Sequence, residues 1–331
     1  MRGAHAALLA AAVCFASAST QQSGGVDGRT YPESASPQMI TTWLQNATTL
    51  ELVHLHEAYG DRFDEIHVSA FWNRIKHIAG APRTAGRREL QKYGAQLLPA
   101  CELTVVLLPR LDARRVATIC HTFASAGLRK GLPWSVVWEA LPAQAEAKVH
   151  LFNAQELANV AWAFATAGYP APALFEAIAL AAAEKVEGAT AQNLANLAWA
   201  YATARHEAPA LFDALAVEAL QEGRLAQFSS QAIASTARAF AWAGHAAPGL
   251  FDALEVEASA RLGEFTEQEL SNTAWAFVTA EHAAHSLFEA IATELVEQER
   301  LPEFKPQGLA SMSRAFALAE HKAPHLFHAF V

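Results

Sequence analysis

The stretch QNLANLAWAYATA, residues 192–204, decides the fold, because it is not unique in the chain. QELANVAWAFATA begins at Gln155, QAIASTARAFAWA at Gln231, QELSNTAWAFVTA at Gln268 and QGLASMSRAFALA at Gln307. The apolar anchor of each copy moves from Leu157 to Leu194, Ile233, Leu270 and Leu309, in steps of 37, 39, 37 and 39 residues. Self-similarity at a fixed period of this length marks a stack of small structural units rather than one closed core.

Each unit reads as two helices. Asn153, Thr190, Ser229 and Thr266 stand four residues before the anchor. There their side chains can accept from the free amides of a first helical turn. The fifth copy has Lys305 there, followed by Pro306, a residue favoured at the first helical position. After a short loop come PALFEAI, PALFDAL, PGLFDAL, HSLFEAI and PHLFHAF, whose apolar residues repeat at helical spacing. No apolar alternation of the β type occurs. The expected fold is all-α, an α-α superhelical solenoid of about 38-residue two-helix repeats in which each unit buries its face on its neighbours. LDARRVATICHTFASAG, with Asp112 as cap and Val116 as anchor, and FDEIHVSAFWNRIKHIAG, with Asp64 and Val68, fit more loosely.

These readings divide the chain. Residues 1–20 read as a signal or targeting peptide, with Arg2 ahead of a short apolar run. Residues 21–48 read as a flexible linker, rich in Gly, Ser and Pro. Residues 49–148 are expected to hold divergent helical repeats with a basic insertion, APRTAGRRELQKYG, and residues 149–331 the regular array, its last repeat incomplete. Cys14, Cys101 and Cys120 form no CxxC pair, so neither a disulfide framework nor a zinc ribbon is indicated.

Within one first helix, an advance of about 100° per residue puts Leu157, Ala161, Phe164 and Gly168 on one buried stripe. The flanks are Ala158, Val160, Ala165 and Ala167, small enough for neighbouring helices to approach closely. Gln155, Asn159, Trp162 and Thr166 fall opposite the core. The same outer stripe elsewhere is Gln192, Asn196, Trp199, Thr203; Gln231, Ser235, Arg238, Trp242; Gln268, Asn272, Trp275, Thr279; and Gln307, Ser311, Arg314, Leu318. Its third column, with His121 from the looser repeat, is His121, Trp162, Trp199, Arg238, Trp275, Arg314. All are planar groups able to stack on nucleobases, beside amides and hydroxyls able to bond base edges. The competing reading is a ladder of side chains that pack only on one another. Arg in two repeats favours a column that meets solvent or a ligand, since a sealed, unpartnered Arg is costly.

Charge is split along the chain. Residues 71–130 hold 11 Lys/Arg and 3 Asp/Glu, a net of +8, and residues 131–331 hold 10 and 23, a net of −13. The formal total of −9 argues against a sequence-blind DNA binder. Arg83, Arg87, Arg88, Lys92, Arg114 and Arg115 are the candidate phosphate contacts. His206, His245, His282 and His321 recur after the first helices, where a positive charge would favour the helix C-terminus. No nucleotide-loop, metalloprotease or nucleophile-elbow motif occurs, so no catalytic residue, metal or cofactor is expected.

The unit LANLAWAYATA…PALFDAL resembles the octotricopeptide repeat and the leucine-rich region of the FAST-kinase-domain proteins. The likeness covers residues 149–331 well and 49–148 loosely. It departs in the Leu-Phe start of the second helix and in lacking a RAP-type domain. The resemblance implies a non-enzymatic organellar RNA-binding protein acting in RNA processing, stability or translation. It would bind single-stranded RNA along the first helices, together with other RNA-processing proteins, and neither DNA nor a membrane span in the mature chain. It would reach a plastid through a signal-plus-transit route, or a mitochondrion. The alternatives are a protein-binding α-solenoid scaffold without RNA contact and, if the leader is a plain signal, the secretory pathway.

Overall fold

The computed structural model describes residues 31–80, 83–129 and 131–329. The targeting segment and the first part of the linker lie outside them. Among the described residues the chain is all-α, with 17 helices and short 3₁₀ turns but no strand. They fall into two compact units. One comprises residues up to 111 together with 125–140, and the other residues 112–124 with 141 onward.

The first unit holds α1 (Pro37–Asn46), α2 (Thr49–Tyr59), α3 (Glu65–Gly80), α4 (Arg83–Lys92) and α5 (Leu98–Leu107). Helix α1 corrects the linker expectation over its ten residues. Ser36 caps it, Pro37 starts it, and Ile40 and Leu44, four apart, bury on one face. That much apolar surface overrides the linker-like Ser, Thr and Pro around it. Thr48 and Glu51 form a reciprocal capping box on α2. The expected basic insertion is largely α4 itself. Trp72 is fully buried, and its indole N–H donates to the Thr104 hydroxyl at 2.8 Å.

The second unit opens with most of α6 (Ala113–Ser125) and continues from within α7 (Trp134–Glu146). The repeats follow as pairs: α8 (Ala154–Ala167) with α9 (Pro172–Lys185), α10 (Ala191–Ala204) with α11 (Pro209–Ala219), α12 (Ser230–Ala243) with α13 (Pro248–Ser259), α14 (Glu267–Thr279) with α15 (His285–Glu297), and α16 (Pro306–Leu318) with α17 (Pro324–Ala329). Asn153, Thr190, Ser229 and Thr266 cap their helices as expected, and Lys305 makes no side-chain cap. Phe152 and Leu157 occupy the two positions of a hydrophobic staple, and both are buried.

First helices lie against first helices more closely than second against second. Buried Ala158, Ala161, Ala195, Ala198, Ala234 and Ala237 permit this approach. The layer with the tighter spacing lies on the inside of any curve the stack makes. Between repeats, the Phe of a second helix meets the aromatic residue of the next first helix edge to face. The pairs are Phe175–Tyr201 at 5.2 Å, Phe212–Phe240 at 4.9 Å, Phe251–Phe277 at 5.1 Å and Phe288–Phe316 at 5.0 Å. Each adds about 0.5–1.5 kcal/mol beyond its burial. Gly168 departs from the expected buried stripe. It is exposed and left-handed, with φ 64°, and ends α8 by bonding Ala165 and Phe164 carbonyls.

Candidate nucleic-acid interface

The stripe is built by the caps. Because each first helix starts at a fixed residue, the amide column begins one position further in, and every Gln of it is exposed. Asn159, Asn196, Ser235 and Asn272 are half-buried, and Ser311 is exposed. His121, Trp162, Trp199, Arg238 and Trp275 are half-buried, and Arg314 is exposed. The column is therefore neither sealed nor fully solvated.

Some of its members touch one another. His121 and Trp162 lie 5.2 Å apart and tilted by 33°, and Trp162 and Trp199 6.5 Å apart and tilted by 35°. Arg314 covers Trp275 at 5.2 Å. Arg238 lies 4.0 Å over Trp242, and its Nη1 approaches Asn272 Oδ1 at 3.4 Å. Its Nε is buried without a partner, and desolvation lowers the guanidinium pKa. Trp242 itself is 50% exposed, and takes the place held by Thr166 and Thr203, whose buried hydroxyls find no partner. A base between two rings needs about 7 Å between parallel planes, two carbon contacts of about 3.5 Å each. The Trp162–Trp199 gap is close to that width but tilted, and the His121–Trp162 gap is narrower.

The candidate phosphate contacts divide between the units. Arg87, Arg88 and Lys92 are exposed on α4 in the first unit, and Arg87 donates to the Ser125 carbonyl at 3.4 Å. Arg83 begins the same helix. In the second unit Arg114 is exposed on α6, while Arg115 is tied to Asp112.

Two recurrent contacts escaped the sequence reading. The four histidines do not cap their helices with their rings, as expected. Their backbone amides do so, bonding Tyr201, Phe240, Phe277 and Phe316 carbonyls. The ring Nε2 atoms turn instead to the preceding repeat: His206 to Glu176 at 3.4 Å, His245 to Asp213 at 2.9 Å, His282 to Asp252 at 3.2 Å and His321 to Glu289 at 3.1 Å. The second contact is a clasp. Lys185, Arg224, Arg261 and Arg300, at steps of 39, 37 and 39, close each repeat onto the carbonyls that precede its own first helix. A base at the same register every 37–39 residues was the available signal.

Acidic residues are kept off the stripe. None of its twenty positions in the five clear repeats is a carboxylate, and Glu156 and Glu269 beside it are held in capping boxes. Among the described residues no group of three His, Cys, Asp or Glu is placed to hold a metal ion. No helix is long and apolar enough there to cross a membrane. The Cys101 and Cys120 thiols are buried, and burial pushes the Cys120 pKa up to about 12.

Fold and surface together define an α-α repeat protein whose first helices repeat an amide-and-planar stripe. Residues 135–305, just over half of the chain, match the RNA-editing substrate-binding complex 6 protein family, and the chain belongs to that family. No curated protein is significantly similar to it.

Proposed function

We propose that this chain is a non-enzymatic protein that binds single-stranded RNA along its first helices, in an organelle that processes that RNA. The observation that carries this is the stripe itself. It joins stacking groups, base-edge bonding groups and two arginines, free of carboxylates, on a member of a family named for an RNA-editing substrate-binding complex. The −13 of residues 131–331 is compatible with a polyanion because the carboxylates are kept off the stripe. The octotricopeptide-like unit supports about one base per repeat, with His121, Trp162, Trp199, Arg238, Trp275 and Arg314 stacking. Gln155, Asn159 and their equivalents would bond base edges. Arg83, Arg87, Arg88, Lys92, Arg114 and Arg115 would hold phosphates, and other RNA-processing proteins would share the assembly. The compartment is a mitochondrion or plastid, which a reporter carrying residues 1–48 resolves.

The test is filter binding of single-stranded RNA at two salt concentrations. Trp162→Ala, Trp199→Ala and Trp275→Ala should each weaken binding by about 1–3 kcal/mol with little change in salt slope, because stacking releases no counterions. Arg87→Ala with Arg88→Ala should reduce the slope by about 0.7 for each phosphate no longer neutralised. Trp variants that melt earlier yet bind RNA as the wild type does would make the column a packing ladder and end the proposal.

A further inference from the structure

The second helices carry a surface that the RNA reading does not use. Leu180 on α9, Val217 on α11 and Val256 on α13 are 63%, 61% and 71% exposed. Each stands five residues after the core Phe of its helix, Phe175, Phe212 and Phe251, so the three are equivalent positions in consecutive repeats. Five residues turn the side chain about 140° away from the buried face. Single exposed apolar residues are ordinary on any protein surface. A β-branched or leucine side chain left in water at the same register in three successive helices is a row, and the stack aligns it. Leu220, also exposed, extends it across the gap between α11 and α13, where its Cδ1 lies 4.0 Å from the position a Cβ on Gly249 would take.

The row is edged by negative charge. One turn before each apolar residue stand Glu176, Asp213 and Asp252, whose side chains are 65%, 71% and 71% exposed. In the fourth repeat Thr293 follows Glu289 by the same four residues. The paired histidines are themselves largely covered, while the carboxylates stay mostly exposed. The row runs across three second helices, with α9 packed on α11 and α11 bridged towards α13 by Leu220. An α-helix of about 14 residues, at 1.5 Å per residue, is about 21 Å long.

We propose that this row is a docking surface for a basic amphipathic helix of a protein partner, whose apolar stripe covers Leu180, Val217 and Val256 while its Lys and Arg residues meet the flanking carboxylates. Charge selects this occupant. An acidic edge repels an anionic membrane surface, an RNA backbone and an acidic helix alike. The proposal does not depend on RNA binding, which uses the opposite helices of each repeat.

The experiment uses the full chain and a fluorescent helical peptide of about 14 residues with Leu and Lys at amphipathic spacing, read by anisotropy. A Leu/Glu peptide of the same pattern and a scrambled Leu/Lys peptide serve as comparisons. The Leu/Lys helix should bind and the other two should not. Leu180→Ser, Val217→Ser and Val256→Ser together should weaken binding at least tenfold without changing the melting temperature or RNA affinity. Glu176→Gln, Asp213→Asn and Asp252→Asn together should weaken it and flatten its salt dependence. Three results overturn the proposal: a serine variant that binds as the wild type does, equal binding of the Leu/Glu or scrambled peptide, or a wild-type dimer in sedimentation that the serine changes dissociate. The last would make a second copy of this chain the occupant.

Discussion

Arg300→Met should open the fourth repeat. The Arg300 side chain is only 11% exposed; its Nη1 donates to the Leu262 carbonyl at 3.2 Å and its Nη2 to the Phe265 carbonyl at 2.5 Å. It also pairs with Glu294 and Glu303, each at 3.1 Å. A hydrogen bond from a charged donor is worth about 1.5–3 kcal/mol net, so the two carbonyl bonds account for about 3–6 kcal/mol. The partly exposed Glu303 pair adds less than about 1 kcal/mol. Methionine keeps much of the aliphatic stem and removes every bond. Lysine keeps the charge but cannot span both carbonyls in the plane that the guanidinium fork supplies, so Arg300→Lys should lose about half as much. Because coupling in a stacked array is between neighbours, the loss should be local first. Amide exchange should accelerate in α14 and α15 before α8 and α9 respond, and the urea midpoint should fall. If Arg300→Met unfolds within about 0.5 kcal/mol of wild type, or if lysine substitutes without loss, the clasp is incidental and the reasoning fails.

Three further outcomes are expected. Lys305→Ser should stabilise the fifth repeat by about 0.5–1.5 kcal/mol in denaturant titration, since it supplies the cap that Thr266 gives α14; no gain would mean that Pro306 already sets that helix start. Thr266→Ala should cost about 1 kcal/mol in the same titration, removing a cap whose hydroxyl accepts from Glu269 N at 3.3 Å. The first unit should weaken in mild acid. Burial against Phe63 and Phe71 depresses His56 from 6.5 to about 4, so the unfolded chain takes up its proton first and stability is lost as pH falls from about 6.5 to 4. Melting curves of His56→Leu should show a smaller fall over that window, and an unchanged fall would assign it to other groups.

The repeat was legible because its determinants are local. A cap residue, an anchor four positions later and small flanking residues are one-dimensional signals, and the helix starts fall where Asn153, Thr190, Ser229 and Thr266 place them. The stripe was legible as a set of positions, since periodicity alone fixes which residues oppose the core. How the rings lean on one another was not, because that depends on rotamers and on the distance between helices. The clasps were hidden for a different reason: their acceptors are backbone carbonyls, which every residue has. The histidines misled because dipole and cross-repeat contacts both call for a base at a helix end. Helix α1 was missed because Ser36 and Pro37, read as linker composition, are also a cap and a first helical residue.

The clasps bear on how the chain is made. Each ties the end of one repeat to its own beginning across 33–38 residues, as with Lys185 to Phe152 and Arg300 to Leu262. No repeat waits on a distant part of the sequence to close, so the contact order stays low for all its length. At about 5–20 residues per second, a ribosome delivers one such unit every few seconds. Each can shut behind its last residue as it emerges, offering its Phe edge to the next first helix. The array would then be assembled in the order it is translated, with one unfinished repeat exposed at a time.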